Sequence, residues 1–455
     1  MMVPRMRLIL LTAVVMLTAG ILVAWQAAWV GPAVAAVVVL VVLSLMDAAT
    51  RRGALKSLTV SIPDVVRMTV DKVSPIQLTV GKPPSMAGRL RLGIALPRAM
   101  VSEQDDLNLI LEKDREALGV SWECRPLKRG RFELERCHLE IRSMLGLWDL
   151  RRKVALNGEI RAYPNLVSGQ QHLRGLFRRK EWGLRTQRRL GKGREFEQLR
   201  EYLPGDSFED IDWKATARRR HPITRVYQVE QAQEIYVILD SSRLSTRSVA
   251  YVTERRRLTR TEQAIEATTI FERYIVASLV MAVAADKLSD RYGMLIFGDK
   301  PECFIKAGRG RAHYNACRDA LYNRMPRSVS PDFDELFTYV GTHLRKRALL
   351  VFLTSLDDPV LAESFIRAMT AASRKHILMV NMFRPPGAHP LFSSPDIKRV
   401  QGIYQHLVGH MHWASINETH RRLKQHGASL HLLDENELCS QLVSQYMDAK
   451  QRQIL

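Results

Sequence analysis

Between Glu195 and Asp212, 18 positions, the chain places Glu195, Glu197, Arg200, Glu201, Asp206, Glu209, Asp210 and Asp212 among Phe196, Leu199, Tyr202, Ile211 and Trp213. Arg218, Arg219 and Arg220 follow directly. Carboxylates at such density suit a hydrolase that works with a general acid and a general base. They equally suit a structural role. Leu203-Pro-Gly-Asp206 is a turn sequence, and Asp212 and Glu201 stand where they could pair with Arg200 or Arg218 and fix an irregular segment against a sheet. The structural role is the preferred reading. Other chemistry-bearing spacings fall short of a motif. His406 and His410 lie four apart with His412, His420, His426 and His431 nearby, but Leu407 takes the place where a metalloprotease helix needs glutamate. Gly308 and Gly310 lack the GxxxxGK[ST] phosphate loop. Ser241 and Ser242 have no GxSxG elbow. Cys124, Cys137, Cys303, Cys317 and Cys439 form neither a CxxC pair nor an even set, which excludes a disulfide framework or zinc ribbon and fits a reducing compartment.

What must position these residues follows from the rest of the chain. Its 455 residues allow two to four domains, and 46% hydrophobic with 25% charged residues describes folded globular protein. From Leu8 to Met46, 39 positions carry no charge. One bilayer crossing takes roughly 20 residues, so two fit, Leu8–Trp25 and Ala27–Met46, with a reversal near Gln26 and with Trp25 and Trp29 as interfacial anchors. A second apolar span follows at once without a small-residue cleavage site, which argues against a signal peptide. Arg5 and Arg7 before the hairpin, and Arg51, Arg52 and Lys56 after it, predict that both ends and all that follows face the cytoplasm. The net charge of +21 then suits a body held beside an anionic leaflet. It could also neutralise phosphates, but with no helix-turn-helix, zinc or RNP pattern a nucleic-acid partner is not expected.

Residues 57–165 alternate in short runs, such as Leu58–Ile62, Ile76–Val80 and Leu90–Leu96, with Gly, Pro and Asp between them; the pattern predicts a β-sandwich. Residues 166–230 join a basic stretch, Gln171–Arg194, to the acidic segment above. From residue 231 to 455, the runs Ile235–Leu239, Gly293–Phe297, Ala348–Leu353 and His376–Asn381 alternate with helix-length stretches. That predicts an α/β domain with a largely parallel sheet. Ser429–Leu433 is expected to complete the sheet and Glu435–Lys450 to close the chain as a helix.

The stretch from Gly193 to Glu230 resembles the signature of the bacterial and archaeal family called domain of unknown function 58. Gly193, Glu195, Phe196, Arg200, Tyr202, Gly205, Asp206, Asp212, Trp213 and Arg218 are among the matching positions. Arg129–Phe132, Leu145–Leu147, Tyr163-Pro164 and Asp290–Phe297 look like the family's recurring pieces elsewhere, so the resemblance extends over most of residues 1 to about 385. It implies two transmembrane helices in residues 1–50, an immunoglobulin-like sandwich, and a Rossmann-type domain similar to von Willebrand factor A. That last domain binds Mg²⁺ elsewhere through Asp-x-Ser-x-Ser with a distant Thr and Asp. Here Asp240 and Ser242 occupy the first positions, Leu244 takes the third, Ser245 is displaced by one, and Thr354-Ser355 stands where an Asp is expected. Mg²⁺ takes hard oxygens in an octahedron, so the site reads as degenerate, with Asp332 and Asp357 as weaker candidate ligands and no cofactor expected. Between Asp240 and the helix near Thr269 runs a connector with Arg243, Arg247, Arg255, Arg256, Arg257 and Arg260, at the crest where open α/β sheets bind ligands. It is a candidate partner surface, with a solvated and partly helical basic face as the alternative. The resemblance implies a non-enzymatic inner-membrane scaffold or adaptor that meets a MoxR-type AAA+ ATPase in a chaperone-like or envelope-related process. A metal-assisted hydrolase using the signature acids, and a basic nucleic-acid-binding membrane protein, are the alternatives.

Overall fold

The computed structural model describes residues 2–50, 52–83, 88–112, 116–166, 190–204, 206–228, 233–257, 260–390, 400–434 and 437–451. The chain divides into two compact units, Met1–Asn165 and Leu166–Leu455. Most of the basic stretch Gln171–Arg194, together with Gly205, lies outside the described residues.

In the first unit the uncharged run forms α1 (Met6–Trp25) and α2 (Val30–Thr50), joined through a 3-10 turn at Ala27–Trp29. Each is long and apolar enough to cross a membrane. A short α3 (Arg52–Ser57) leads into the strands. These are β1 (Met2–Pro4), β2 (Thr59–Ser61), β3 (Val65–Thr69), β4 (Ser74–Gly81), β5 (Gly88–Ile94), β6 (Met100–Val101), β7 (Leu107–Leu111), β8 (Ala117–Pro126), β9 (Gly130–Arg142) and β10 (Trp148–Tyr163). One sheet runs β1-β10-β9-β5-β7 with β3 parallel to β10, and the other β2-β4-β8-β6. Alternation sets the register: Ile76, Leu78 and Val80 of β4 turn inward with Val120, Trp122 and Cys124 of β8, to meet Leu90 and Leu92 of β5 and Leu139 and Ile141 of β9 in one core. Each such side chain contributes about 1.5–3 kcal/mol by leaving water.

The second unit opens with β11 (Leu190–Glu201), paired antiparallel to β12 (Ile223–Gln228), and between them stand a 3-10 turn at Phe208–Asp210 and α4 (Trp213–Arg219). The main sheet follows, with strands β13 (Glu234–Asp240), β16 (Arg291–Phe297), β17 (Pro301–Gly308), β18 (Leu349–Leu353), β19 (Ile377–Phe383) and β20 (Ala428–Leu433) in the order β17-β16-β13-β18-β19-β20. All neighbours are parallel except β16 and β17. Every residue of β18 is buried, as a strand covered on both faces requires. On one face Val237 and Leu239 of β13 meet α5 (Ile270–Lys287), α6 (Gly310–Leu321) and α10 (Leu438–Gln451). On the other, Tyr236 and Ile238 meet α7 (Phe333–His343), α8 (Pro359–Ser373) and α9 (Val400–Gln425). Polar side chains fix the helix starts: Thr269, Asp332 and Asp358 accept from the amides of Glu272, Glu335 and Val360.

The connector after Asp240 departs from the reading of it as a partly helical face. It is a hairpin, β14 (Ser248–Arg257) against β15 (Arg260–Thr269), in register from Ser248 opposite Thr269 to Arg257 opposite Arg260. Tyr251, Val252, Thr253, Ile265 and Thr268 along it are β-formers; the arginines between them hid that pattern.

Candidate functional site at the sheet crest

The strand order reverses at β13: the chain steps outward to β16 on one side, then returns to β18 on the other. The carboxyl ends of β13 and β18 therefore meet at the switch point, where open α/β sheets have their ligand crevice. Asp240 ends β13 and is wholly buried. Its Oδ1 accepts from the Ser242 amide at 2.8 Å and its Oδ2 from the Thr354 hydroxyl, just past β18, at 2.6 Å. Burial pushes the Asp240 carboxyl above the usual carboxylate range, against the pull of the Ser242 and Thr354 hydrogen bonds. The Ser242 hydroxyl accepts from the Leu244 amide at 3.3 Å, and Ser245 donates to the Asp240 carbonyl at 2.6 Å. Ser241 donates to Phe297 O at 2.8 Å and to Glu302 at 3.0 Å. Below, the Tyr274 hydroxyl of α5 donates to Thr354 O at 3.3 Å.

The second carboxylate of the crest is spoken for as well. Arg247 Nη1 donates to Asp357 Oδ2 at 2.5 Å, and Ser355 to Asp357 Oδ1 at 2.9 Å. Burial raises the Asp357 carboxyl, but the hydrogen bonds from Arg247 and Ser355 outweigh it and hold the group below its ordinary value. Arg247, read as partner surface in the sequence, is thus half of an internal ion pair. Arg243 is exposed and donates to Ser330 at 3.4 Å. Arg255, Arg256, Arg257 and Arg260 stand at the other end of the hairpin, opposite Glu262, Thr261, Arg260 and Arg257 in the register; their side chains lie outside the described residues. Ten residues of strand put that end roughly 30 Å from the base.

As a divalent-metal site these residues do not fit. Leu244 offers no oxygen, the Asp240 oxygens hold an amide and a hydroxyl, and a guanidinium already neutralises Asp357. Asp332 caps α7 through the Glu335 amide at 2.9 Å. Among the described residues no three His, Cys, Asp or Glu side chains converge as a metal group. His406 and His410 share α9, but His406 lies against His389 and His410 stacks on Trp413.

Three of the signature acids, Glu201, Asp206 and Asp212, are also engaged. Asp206 accepts from the Leu203 amide at 3.0 Å and from Arg200 at 2.7 Å, closing the turn. Asp212 caps α4 through the Ala215 amide at 3.0 Å and pairs with Arg225 at 2.9 Å. Both carboxyls are held below their ordinary values, first by those backbone amides and then by the arginines. The pairings correct the sequence reading: Asp212 meets Arg225 and not Arg200 or Arg218, and Glu201 meets His221 at 3.4 Å. Register explains it, because the bridge that sets Ile211 opposite Thr224 brings Arg225 beside Asp212 at the start of α4. Tyr202 stacks on Phe208, while Trp213 and Arg218 are exposed. Gly193, Glu195 and Phe196 belong to β11, with side chains outside the described residues. Sequence reasoning missed Thr354 as the partner of Asp240, Arg247 as the partner of Asp357, and Tyr274. The usable signal was position alone, since Thr354 directly follows an apolar run adjacent to that of Asp240.

A family model, described as "Protein of unknown function DUF58", matches residues 198–388. That stretch takes in the signature from Gln198 onward, the hairpin and the crest, and the family is the one the signature residues resemble. No curated protein matches the chain. Among solved structures, an aerotolerance-related membrane protein from Bacteroides fragilis NCTC 9343, with multiple mutations to serines, is similar at 10% identity over 48% of this chain and 98% of that one, with a TM-score of 0.25. An uncharacterized membrane-spanning protein from Vibrio fischeri is 10% identical over 48% of this chain and 98% of its own, with a TM-score of 0.16. Murine CRIg is 13% identical over 23% of this chain and 97% of its own, with a TM-score of 0.14.

Proposed function

We propose that the chain is a non-enzymatic scaffold of a bacterial inner membrane. It carries an immunoglobulin-like sandwich and presents a von Willebrand A-like domain, on the cytoplasmic side, to a MoxR-type AAA+ ATPase in a chaperone-like or envelope-related assembly process. The observation that carries this reading is the division of labour at the crest. The acids and hydroxyls there bind one another, while a hairpin of ten paired positions per strand lifts Arg255, Arg256, Arg257 and Arg260 away from them. Such a crest offers a surface and a projecting cationic arm in place of a reacting group, and an acidic face on the partner suits the arm. The basic residues on both flanks of the apolar helices support the cytoplasmic orientation. The hydrolase alternative draws on the signature acids, of which Asp206 and Asp212 have their oxygens taken by two backbone amides and two arginines.

The reading is tested by affinity capture of the detergent-solubilised full chain from its native cells, with and without Mg²⁺-ATP. Recovery of a AAA+ ATPase that depends on nucleotide, and that falls when Arg255, Arg256 and Arg257 are all changed to Glu, is the expected result. Absence of any ATPase under both conditions would contradict it.

A further inference from the structure

The two ends of the apolar hairpin converge on a single β-turn of the sandwich. Asp47, in the last turn of α2, is buried, and its carboxylate accepts from the Ser143 hydroxyl at 2.6 Å, the Leu145 amide at 2.8 Å and the Leu147 amide at 3.3 Å. Trp148 Nε1 donates to Ser44 O and Oγ, both at 3.0 Å. From the other helix, the Arg5 amide donates to Leu147 O at 2.9 Å, Arg5 Nε pairs with Asp149 at 3.3 Å, and β1 continues that contact by pairing with β10. The turn between β9 and β10 is therefore held at the level where α1 starts and α2 ends. Its conformation needs Gly146, which has φ +73°.

What the turn does with its own side chains is unexpected for a sandwich loop. Leu147 is buried, yet Met144 is 74% exposed and Leu145 58%. Leu43, Leu45 and Met46, flanking Ser44 and preceding Asp47 on α2, are exposed apolar residues as well. Ser44 and Asp47, which hold the turn, are three residues apart on that helix, about 4.5 Å along its axis. A loop fastened there lies against the end of a span, where tryptophan and arginine mark the boundary between headgroup and acyl chain. Arg7 and Arg142 are exposed around it, suited to anionic headgroups.

We propose that the Ser143–Leu147 turn is a membrane-inserted wedge: Met144 and Leu145 enter the interfacial layer of the leaflet beside the exit of α2, and Asp47 is the positioning residue that sets their depth. The occupant of this apolar tip is lipid, because the spans that fix the tip are themselves the parts of the chain that lipid surrounds. The proposal rests on the reading of α1 and α2 as membrane spans. It makes the first unit a rigid extension of its anchor, with the sandwich fastened to both ends of the hairpin.

The test uses the full chain in vesicles of phosphatidylethanolamine and phosphatidylglycerol, with a photoreactive benzophenone side chain placed in turn at Met144, at Val38 in the middle of α2, and at Ile110. Ile110 is 70% exposed on β7, the edge strand opposite β1. Lipid adducts at position 144 that approach the yield at 38 and exceed that at 110 several-fold are expected. The Asp47→Asn variant should lower the yield at 144 and leave that at 38 unchanged. Adducts at 38 with only the background of 110 at 144, or crosslinks from 144 chiefly to a second copy of the chain, would overturn the wedge while leaving the spans intact. Absence of lipid at 38 as well would overturn the spanning reading and the wedge with it.

Discussion

The crest and the signature segment both gather carboxylates and hydroxyls, and they treat the same residue types in opposite ways. At the crest Asp240 is sealed from water and burial drives its carboxyl toward the neutral form. In the signature, Asp206 and Asp212 keep partial access to water, and amides and arginines drive them toward the charged form. In both places the oxygens of these three carboxylates are held by amides, a hydroxyl or guanidiniums. Density of acidic residues in a sequence therefore says little about catalysis until the backbone amides that consume them are counted.

The comparison can be broken most forcefully at Asp240. Asp240→Ala strips an acceptor from the buried Ser242 amide and Thr354 hydroxyl and should cost about 2–4 kcal/mol in chemical denaturation of the solubilised chain. Asp240→Asn keeps an oxygen for the amide and a donor for the threonine, and should stay within about 1 kcal/mol of wild type. Since the folded carboxyl is raised, the wild type should lose stability as pH rises through that raised value, and the Asn variant should not. A steeper loss in Asn than in Ala would refute the structural role.

A second buried group sharpens the same point with the opposite charge. Burial, with Lys375 adjacent, pushes the His376 imidazole down to about 4. The unfolded chain takes up its proton near pH 6.5, so stability should fall progressively from there to about pH 4. His376→Gln should flatten that part of a pH–stability curve. A wild-type slope unchanged by the substitution would assign the acid loss elsewhere.

Smaller effects are expected where water reaches the partners. Arg247 is half exposed, so Arg247→Ala should cost on the order of 1 kcal/mol. It should also free the Asp357 carboxyl to rise toward its ordinary value, so that the stability this group loses as pH falls below that value shrinks. Asp212→Ala removes the cap of α4 and the pair with Arg225 and should give the smallest loss, visible as local amide exchange in Trp213–Arg219 with the global midpoint nearly constant.

Much of this architecture was legible. The uncharged span gave both apolar helices. Runs such as Ile235–Leu239 and Gly293–Phe297 lie within β13 and β16, and Ser429–Leu433 lies within β20. The terminal helix starts at Leu438, three residues later than the Glu435 read from the sequence. The hairpin β14–β15 was not legible, because arginines mask a strand pattern that its partner strand completes. Nor were the pairs Asp212–Arg225 and Arg247–Asp357, which lie 13 and 110 residues apart. Periodicity speaks to local elements, whereas such pairs depend on sheet register and strand order, which a single chain does not print.

The central claim is that the crest acids build the domain and the hairpin tip makes the contact. It is tested most directly by measuring the affinity of the proposed AAA+ ATPase partner, purified and loaded with Mg²⁺-ATP, for the full reconstituted chain in three forms. These are wild type, Asp240→Asn, and the combined Arg255→Glu, Arg256→Glu and Arg257→Glu variant. Wild type and Asp240→Asn should bind alike, and the charge-reversed hairpin should bind at least about tenfold more weakly, with a loss that shrinks as salt is raised. Binding abolished by Asp240→Asn in a chain of unchanged stability, with the hairpin variant unaffected, would contradict it.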